Sequence, residues 1–120
     1  TYLDKARRGE HQMILMGWTG DNGDPDNFLN VLLSCGAAKT GSNYARWCDK
    51  KFEKLIMEAK AITDQNKRAR LYEEAQKIFK ENVPWVTLAH AKVFRAMRKN
   101  VEGFKMSPFG TDSFYGVSLK

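Results

Sequence analysis

Two runs of apolar residues at helical spacing, one on each side of Asp64, constrain the fold of this chain most. The first run begins near Asp49 and comprises Phe52, Leu55, Ile56, Ala59 and Ile62. The second run lies within residues 65–82 and comprises Leu71, Ala75, Ile78 and Phe79. Residues at this spacing form the apolar face of an amphipathic helix. The pattern therefore predicts two helices that share a core, with Asp64 as the cap of the second and Pro84 as its end.

The segments on either side of these two helices predict strands and one further helix. Residues 12–18 are a short apolar run that ends beside glycine, which predicts a buried strand. Asp24 followed by Pro25 predicts a helix with Asp24 as its N-cap and an end near Cys35. The composition of residues 85–97 is β-like and predicts further strands. This order of elements predicts a mixed α/β fold.

The length of the chain, 120 residues, allows one domain at most with a modest core. The first residues, TYLDKARRGEHQ, read like the end of a helix whose start is missing, and no methionine precedes them. We therefore expect a fragment of a longer protein. No apolar run approaches the roughly 20 residues that a membrane-spanning helix requires.

The formal net charge of +6 raises the question of nucleic-acid binding. The basic residues alternate with acidic ones, for example where Lys50, Lys51 and Lys54 surround Glu53. Charges interleaved in this way are typical of a solvated helix face. The chain also lacks a glycine–aromatic RNA-binding signature and the spacing of a zinc finger. We therefore expect no nucleic-acid partner.

The two cysteines, Cys35 and Cys48, flank a polar loop predicted for residues 36–47. A metal site would need more ligands at short spacing, and His11 and His90 are distant in sequence. Two buried free thiols are one alternative, but a disulfide is favoured because the loop has few apolar anchors. Closing a loop of this length stabilises a fold by roughly 3 kcal/mol in the chain-entropy model. A disulfide would indicate an oxidising compartment, either the periplasm or the cell exterior.

The loop GWTGDNGDPDNFLN, residues 17–30, is rich in acidic and amide side chains. Its aspartates are Asp21, Asp24 and Asp26. A calcium-binding EF-hand loop would need glycine and glutamate where this chain has Asn27 and Leu33. Paired catalytic carboxylates would need a second acid at a defined separation, and no hydrolase, zinc-protease or nucleotide-binding motif is present. The sequence therefore predicts no metal site and no catalytic residue.

One aspartate of this loop is not explained by helix capping. Asp24 and Asp26 lie at the predicted helix start, where negative charge is favoured. Asp21 instead follows the end of the predicted strand, where open α/β sheets commonly bind ligands. Trp18 and Thr19 precede it with an aromatic face and a hydroxyl group, an arrangement that suits a small cation such as an ammonium group. A solvated turn aspartate is the alternative.

Three segments carry a resemblance to a known family. They are GEHQMILMGWTGDNGDPDNFL, SCGAAKTGSNYARWC and NKRARLYEEAQKIFKENVPW. Together they resemble the C-terminal part of the dipeptide-binding members of the bacterial extracellular solute-binding family 5, which serves ABC importers of peptides, nickel and haem-related ligands. The resemblance covers essentially the whole chain. It implies a periplasmic-binding-protein-like fold of type II, with two lobes that close on a ligand and present it to a membrane permease.

The resemblance also implies roles for particular residues. Asp21 would pair with the α-ammonium group of a short peptide, with Trp18, Thr19 and Gly20 beside it in the cleft. Cys35 and Cys48 match a disulfide of the family. Residues 1–90 would belong to the second lobe and residues 91–120 would return to the first.

The same resemblance implies a periplasmic, non-enzymatic binding protein without a cofactor. Its partners would be a short peptide ligand and an inner-membrane ABC permease. A haem-binding, other solute-binding or chemosensory relative of the same fold is the alternative, since fold alone does not fix function. Because most of the first lobe would lie outside these residues, we expect that this fragment alone does not bind ligand.

Overall fold

The computed structural model describes all 120 residues. Its helices are α1 Tyr2–Arg8, α2 Asp26–Leu33, α3 Cys35–Thr40, α4 Lys50–Ala61 and α5 Gln65–Asn82. Two short strands, β1 Val101–Glu102 and β2 Ser118–Leu119, pair antiparallel with Val101 opposite Leu119. None of the helices combines the length and the hydropathy that crossing a membrane would require.

The two long helices, α4 and α5, are those that the apolar runs predict. Asp49 caps α4, since its carboxylate accepts the Phe52 N–H at 2.8 Å. Asp64 caps α5 in the same way, accepting the Lys67 N–H at 3.0 Å. Each cap satisfies a backbone donor that has no partner within its helix. Both predicted helices are therefore confirmed, and the three residues between them fold α5 back against α4.

The core lies where α4, α5 and α2 meet. Its buried residues are Leu29, Leu32, Leu33, Phe52, Ile56, Ala59, Tyr72, Ala75 and Ile78. Phe52 is 0% exposed, and the Trp47 ring packs against its edge at 4.9 Å between centroids. Truncating a buried phenylalanine costs about 3–5 kcal/mol in comparable cores. The apolar faces of α4 and α5 therefore hold the helical part together, and within these two helices Tyr72 is the core residue that the apolar runs did not predict.

The segment after α2 is more ordered than the predicted polar loop. Ser34 ends α2 and caps the short helix α3, because its hydroxyl oxygen accepts the Ala37 N–H at 3.1 Å. The buried amide of Asn43 then donates to the carbonyl oxygens of Ser34 and Trp47, at 3.1 and 2.8 Å. The prediction of a loop throughout residues 36–47 is therefore wrong, since a serine cap and one buried amide organise this segment.

The disulfide predicted between Cys35 and Cys48 is confirmed. It joins the first residue of α3 to the residue before the α4 cap, with the two Cα atoms 4.6 Å apart. The cross-link fixes the ends of the intervening segment relative to the core helices.

The predicted strands at residues 12–18 and 85–97 are not formed in this chain. Most of their side chains are exposed, with Met13 at 91%, Leu15 at 73% and Leu88 at 73%, whereas Ile14 and Trp85 are partly buried. A strand is stabilised by hydrogen bonds and side-chain pairs with neighbouring strands, and these segments have no such neighbours. The apolar run and the composition typical of strands are present, but the pairing partners are not among the described residues.

We expect that removing the disulfide destabilises the helical part of the chain. The double variant Cys35→Ser/Cys48→Ser should lose about 3 kcal/mol of unfolding free energy, because its unfolded state gains the freedom of the opened loop. Urea unfolding followed by circular dichroism measures the loss. Reductant should destabilise the wild type to the same extent and leave the double variant unchanged; an equal response of both proteins would contradict the prediction.

We also expect amide protection to divide sharply along the chain. Amides of residues 13–18 and 85–97 should exchange with solvent at nearly unprotected rates, because they lack hydrogen-bond partners. Amides in the middle of α4 and α5 should be strongly protected in the same sample. Hydrogen–deuterium exchange on the monomeric chain tests this, and protection of residues 85–97 equal to that of α5 would be inconsistent with the structure.

Candidate functional site

The loop before α2 contains the predicted ligand-binding residues and lies on the surface. Trp18, Thr19 and Asp21 are exposed, and Gly20 between them is partly buried. All four therefore lie together on one accessible stretch of chain. Gly20 has room for a methyl group, whose nearest neighbour, Asn27 Oδ1, would lie 3.8 Å away. Steric exclusion therefore does not explain the glycine.

A single amide, that of Asn27 in the first turn of α2, determines the shape of this loop. Its Oδ1 accepts the Asp21 backbone N–H at 3.0 Å and the Trp18 indole N–H at 3.4 Å. Its Nδ2 donates to Asp21 Oδ2 at 3.0 Å. No role is predicted for Asn27 from the sequence. The sequence feature that could have indicated one is a polar side chain in the first turn of a helix, within reach of the glycine-rich loop before it.

The loop leaves one carboxylate oxygen of Asp21 without a protein partner. Asp21 Oδ2 is bound by Asn27, whereas Oδ1 takes part in no hydrogen bond or ion pair within the chain. Trp18, held by the same amide, lies beside it. The arrangement offers an exposed negative charge next to an aromatic ring, which is the chemistry that recognises a small cation.

Asp24 is used in a different way from Asp21. Its Oδ1 accepts the Asp26 N–H at 2.9 Å, and both of its oxygens lie 3.0 Å from Nη2 of Arg68. Helix α2 begins at Asp26 with Pro25 as its N-cap, one residue later than predicted. The capping contact of the Asp24 carboxylate is nevertheless present. Asp26, in the first turn as predicted, forms an ion pair with Lys60 at 3.5 Å.

Arg68 connects the start of α2 to the rest of the core. Its Nε donates to the Ala59 carbonyl oxygen at 3.0 Å, and its Nη2 approaches the Tyr72 hydroxyl at 3.3 Å as well as Asp24. The amide of Asp26 lowers the pKa of Asp24 most, and the Arg68 guanidinium lowers it further. Asp24 is therefore a structural carboxylate, as the sequence predicts, but its arginine partner lies 44 residues away and was not predicted.

The turn of residues 107–110 packs against the same loop. A methyl group added to Gly23, where φ is 72°, would approach Phe109 Cε1 to 3.1 Å. A methyl group on Gly110 would approach Thr19 Cγ2 to 3.2 Å. Thr19 therefore presents its methyl group to this turn. The contact of this turn with the candidate site is not predicted from the sequence.

Comparison with known proteins gives close relatives along the whole chain. Di/tripeptide-binding protein 1 of Pseudomonas aeruginosa is 51% identical over 118 residues, which are 98% of this chain and 22% of that protein. The dipeptide-binding protein of Escherichia coli K12 is 50% identical over 119 residues, 99% of this chain and 22% of that protein. Heme-binding protein A of Haemophilus influenzae is 44% identical over 119 residues, 98% of this chain and 21% of that protein. No family model matches the chain.

Two solved structures share the fold of the chain. The dipeptide-binding protein of Pseudoalteromonas sp. SM9913 in complex with Met-Leu is 39% identical with a TM-score of 0.85, covering 98% of this chain and 24% of that one. An ABC transporter-associated periplasmic binding protein of Helicobacter pylori, in complex with the peptide STSA, is 34% identical with a TM-score of 0.85, covering 98% and 23%. The predicted fold class, a segment of a periplasmic-binding-protein-like fold, is confirmed by this likeness.

The chain therefore belongs to the family of bacterial solute-binding proteins that includes these dipeptide-binding proteins. It spans about 22% of the length of the first relatives that it matches.

The ion pair between Asp24 and Arg68 leads to a prediction about how stability depends on pH. Asp24→Asn keeps an acceptor for the Asp26 amide but loses the charge that Arg68 meets. Because folding lowers the pKa of Asp24, its contribution is complete above the ordinary value of about 3.9 and disappears as the pH falls through the lower folded-state value. The variant should therefore be less stable than wild type at neutral pH, and the difference should vanish in strong acid.

Urea unfolding of both proteins across this pH range measures the difference. Glu58→Gln is the control, because it removes an exposed carboxylate that forms no ion pair. It should follow the wild type at every pH. A deficit of Asp24→Asn that stays constant down to strong acid would rule out the charge of Asp24 as its cause.

Proposed function

We propose that this chain is part of the substrate-binding component of a bacterial ABC importer and that it binds the amino end of a short peptide. The observation that carries the proposal is the Asp21 carboxylate, which is oriented by Asn27 through one oxygen and left free at the other. Relatives near 50% identity that are named for dipeptide binding support the peptide as the ligand class.

The chemistry of the amino group explains why such a carboxylate is needed. A peptide ammonium that enters a closed cleft loses its water, and an unpaired buried charge is costly. A fixed carboxylate compensates with a charge-assisted hydrogen bond, and the neighbouring Trp18 ring adds attraction for a cation. Thr19 and Gly20 complete the wall of the site beside Asp21.

The remainder of the cleft would come from elsewhere in the complete polypeptide. In this proposal residues 1–90 belong to the second lobe and residues 91–120 return to the first, so that the lobes close over the peptide. The group that meets the peptide carboxylate would lie outside these residues. The closed protein would then deliver its ligand to an inner-membrane permease, and it would act as a binding protein rather than an enzyme.

A periplasmic location suits this function. The disulfide between Cys35 and Cys48 requires an oxidising compartment, which the periplasm provides. No group of three or more His, Cys, Asp and Glu side chains is arranged to hold a metal ion.

Haem is the second candidate ligand class. It is favoured by the relative from Haemophilus influenzae, which is named for haem binding and is 44% identical over nearly the whole chain. The two ligand classes differ at Asp21, because a peptide ammonium needs a counter-charge whereas haem carries propionate carboxylates that a carboxylate would repel.

The decisive test is the affinity of the complete polypeptide for Met-Leu, measured by calorimetry. Asp21→Asn should weaken binding about 30-fold or more, since removing one partner of a desolvated charge pair costs roughly 2–5 kcal/mol and every 1.4 kcal/mol is tenfold. Wild type should bind N-acetyl-Met-Leu poorly for the same reason, because acetylation removes the positive charge.

Glu58→Gln is again the matched control. It removes the same unit of charge from an exposed helix face and should bind Met-Leu as wild type does. If Asp21→Asn binds free and acetylated Met-Leu as tightly as wild type, the role of Asp21 is refuted. If wild type binds haem and neither dipeptide, the second ligand class replaces the first.

A further inference from the structure

We propose that Asn27 is the positioning residue of this site, which holds the Asp21 carboxylate and the Trp18 indole in one fixed relation to the ligand. This inference rests on the proposed function. Asn27 itself would not contact the peptide. It orients the Asp21 carboxylate, which does contact the peptide, and it determines which oxygen of Asp21 remains available.

The hydrogen bonds of Asn27 fix the orientation of its own amide. Oδ1 faces two N–H donors, those of the Asp21 backbone and the Trp18 indole, while Nδ2 faces the Asp21 carboxylate. The reversed orientation would direct the NH2 group at two donors and the oxygen at a carboxylate. The asparagine amide carries an acceptor and a donor on one carbon, whereas a carboxylate has no donor and a serine hydroxyl has a single oxygen, so aspartate or serine at position 27 cannot make the same set of contacts.

The helix beneath Asn27 is anchored in the core, whereas the loop that it holds is exposed and rich in glycine. The backbone N–H of Asn27 donates to the Asp24 carbonyl oxygen at 3.1 Å, and α2 is anchored in the core by Leu29 and Leu33. The loop contains Gly17, Gly20 and Gly23, and glycine adds conformational freedom to an exposed segment. Without Asn27, the Asp21 carboxylate would depend on a flexible segment for its position.

The same contacts determine how Asp21 meets its ligand. Oδ2 is occupied by Asn27 Nδ2, so an incoming ammonium group meets Oδ1. A carboxylate held in place before binding does not lose rotational freedom on binding, and such preorganisation raises affinity. The contribution of Asn27 to affinity should therefore pass mainly through Asp21, with a smaller part through the Trp18 ring, and should become small when Asp21 no longer carries a charge.

A double-mutant cycle on the complete polypeptide tests this coupling, with Met-Leu as the probe in calorimetry. Asn27→Ala should weaken binding about tenfold, in the range found for contacting residues. In an Asp21→Asn background the same change should weaken binding by less than about twofold, because the two residues act through one contact. Asn30→Ala is the matched control: Asn30 is also partly buried on α2, its side chain forms no hydrogen bond, and binding should be unchanged.

Hydrogen exchange provides a second measurement that needs no ligand. The Asp21 amide donates to Asn27, so Asn27→Ala should expose it to exchange at least tenfold faster while amides inside α2 keep their protection. Asn30→Ala should leave the Asp21 amide at its wild-type rate. Loss of protection throughout α2 would show a general folding defect and would overturn a local positioning role.

The outcomes separate this inference from the proposed function. If wild type binds Met-Leu but Asn27→Ala binds it equally well, or the two losses simply add, the positioning role is overturned and the proposed function stands. If wild type binds no dipeptide, the proposed function fails. In that case the exchange rate of the Asp21 amide is the test of the positioning role. Selective acceleration in Asn27→Ala supports the role of Asn27 in holding the loop, and an unchanged rate overturns it.

Discussion

The burial of one face of α2 in the core that it shares with α4 and α5 supports the loop that immediately precedes this helix. Leu29, Leu32 and Leu33 enter the core, so the helix axis cannot shift without opening a cavity. The first turn of α2 is thereby held at a constant place above the core. Asp24 and Arg68 then tie the chain before the helix to α4 and α5. The loop that carries Asp21 is therefore supported by the hydrophobic core, although it is itself exposed.

The same packing explains which segments of the chain form helices and which form no regular secondary structure. Apolar side chains of α2, α4 and α5 find partners within the described residues, whereas most of those in residues 12–18 and 86–97 remain exposed. Trp85 is an exception, since its ring packs against Phe28 and Phe79 at the edge of the core. Both kinds of segment are apolar, and they differ in how much of their apolar surface is covered within these 120 residues. The solved relatives contain about four times as much chain, and the likeness of this chain to a segment of them accounts for strand-forming sequences that lack strand neighbours.

Whether an interaction can be predicted from the sequence depends on how far apart its residues lie along the chain. The α4 and α5 helices, the cap at Asp64 and the disulfide each depend on residues within one helix or one short loop, and these predictions are confirmed. The contact between Arg68 and Asp24 joins residues 44 positions apart, and no local pattern indicates it. The contact of Phe109 with Gly23 escapes prediction for the same reason. The role of Asn27 was missed although it is local, because hydrogen bonding by a side chain in a helix start depends on the conformation of the preceding loop.

The difference between Asp21 and Asp24 gives the strongest physical argument for a binding loop. Both carboxylates precede the same helix, but the partners that the structure gives them are different. The charge of Asp24 is paired with Arg68, and its oxygens bind a backbone amide and a guanidinium. In the folded chain Asp24 therefore has no unpaired charge left for a ligand. Asp21 receives one donor to one oxygen and no cation from the chain. A carboxylate that the fold orients but does not neutralise retains the capacity to bind a cation from outside, and of the two only Asp21 has this property.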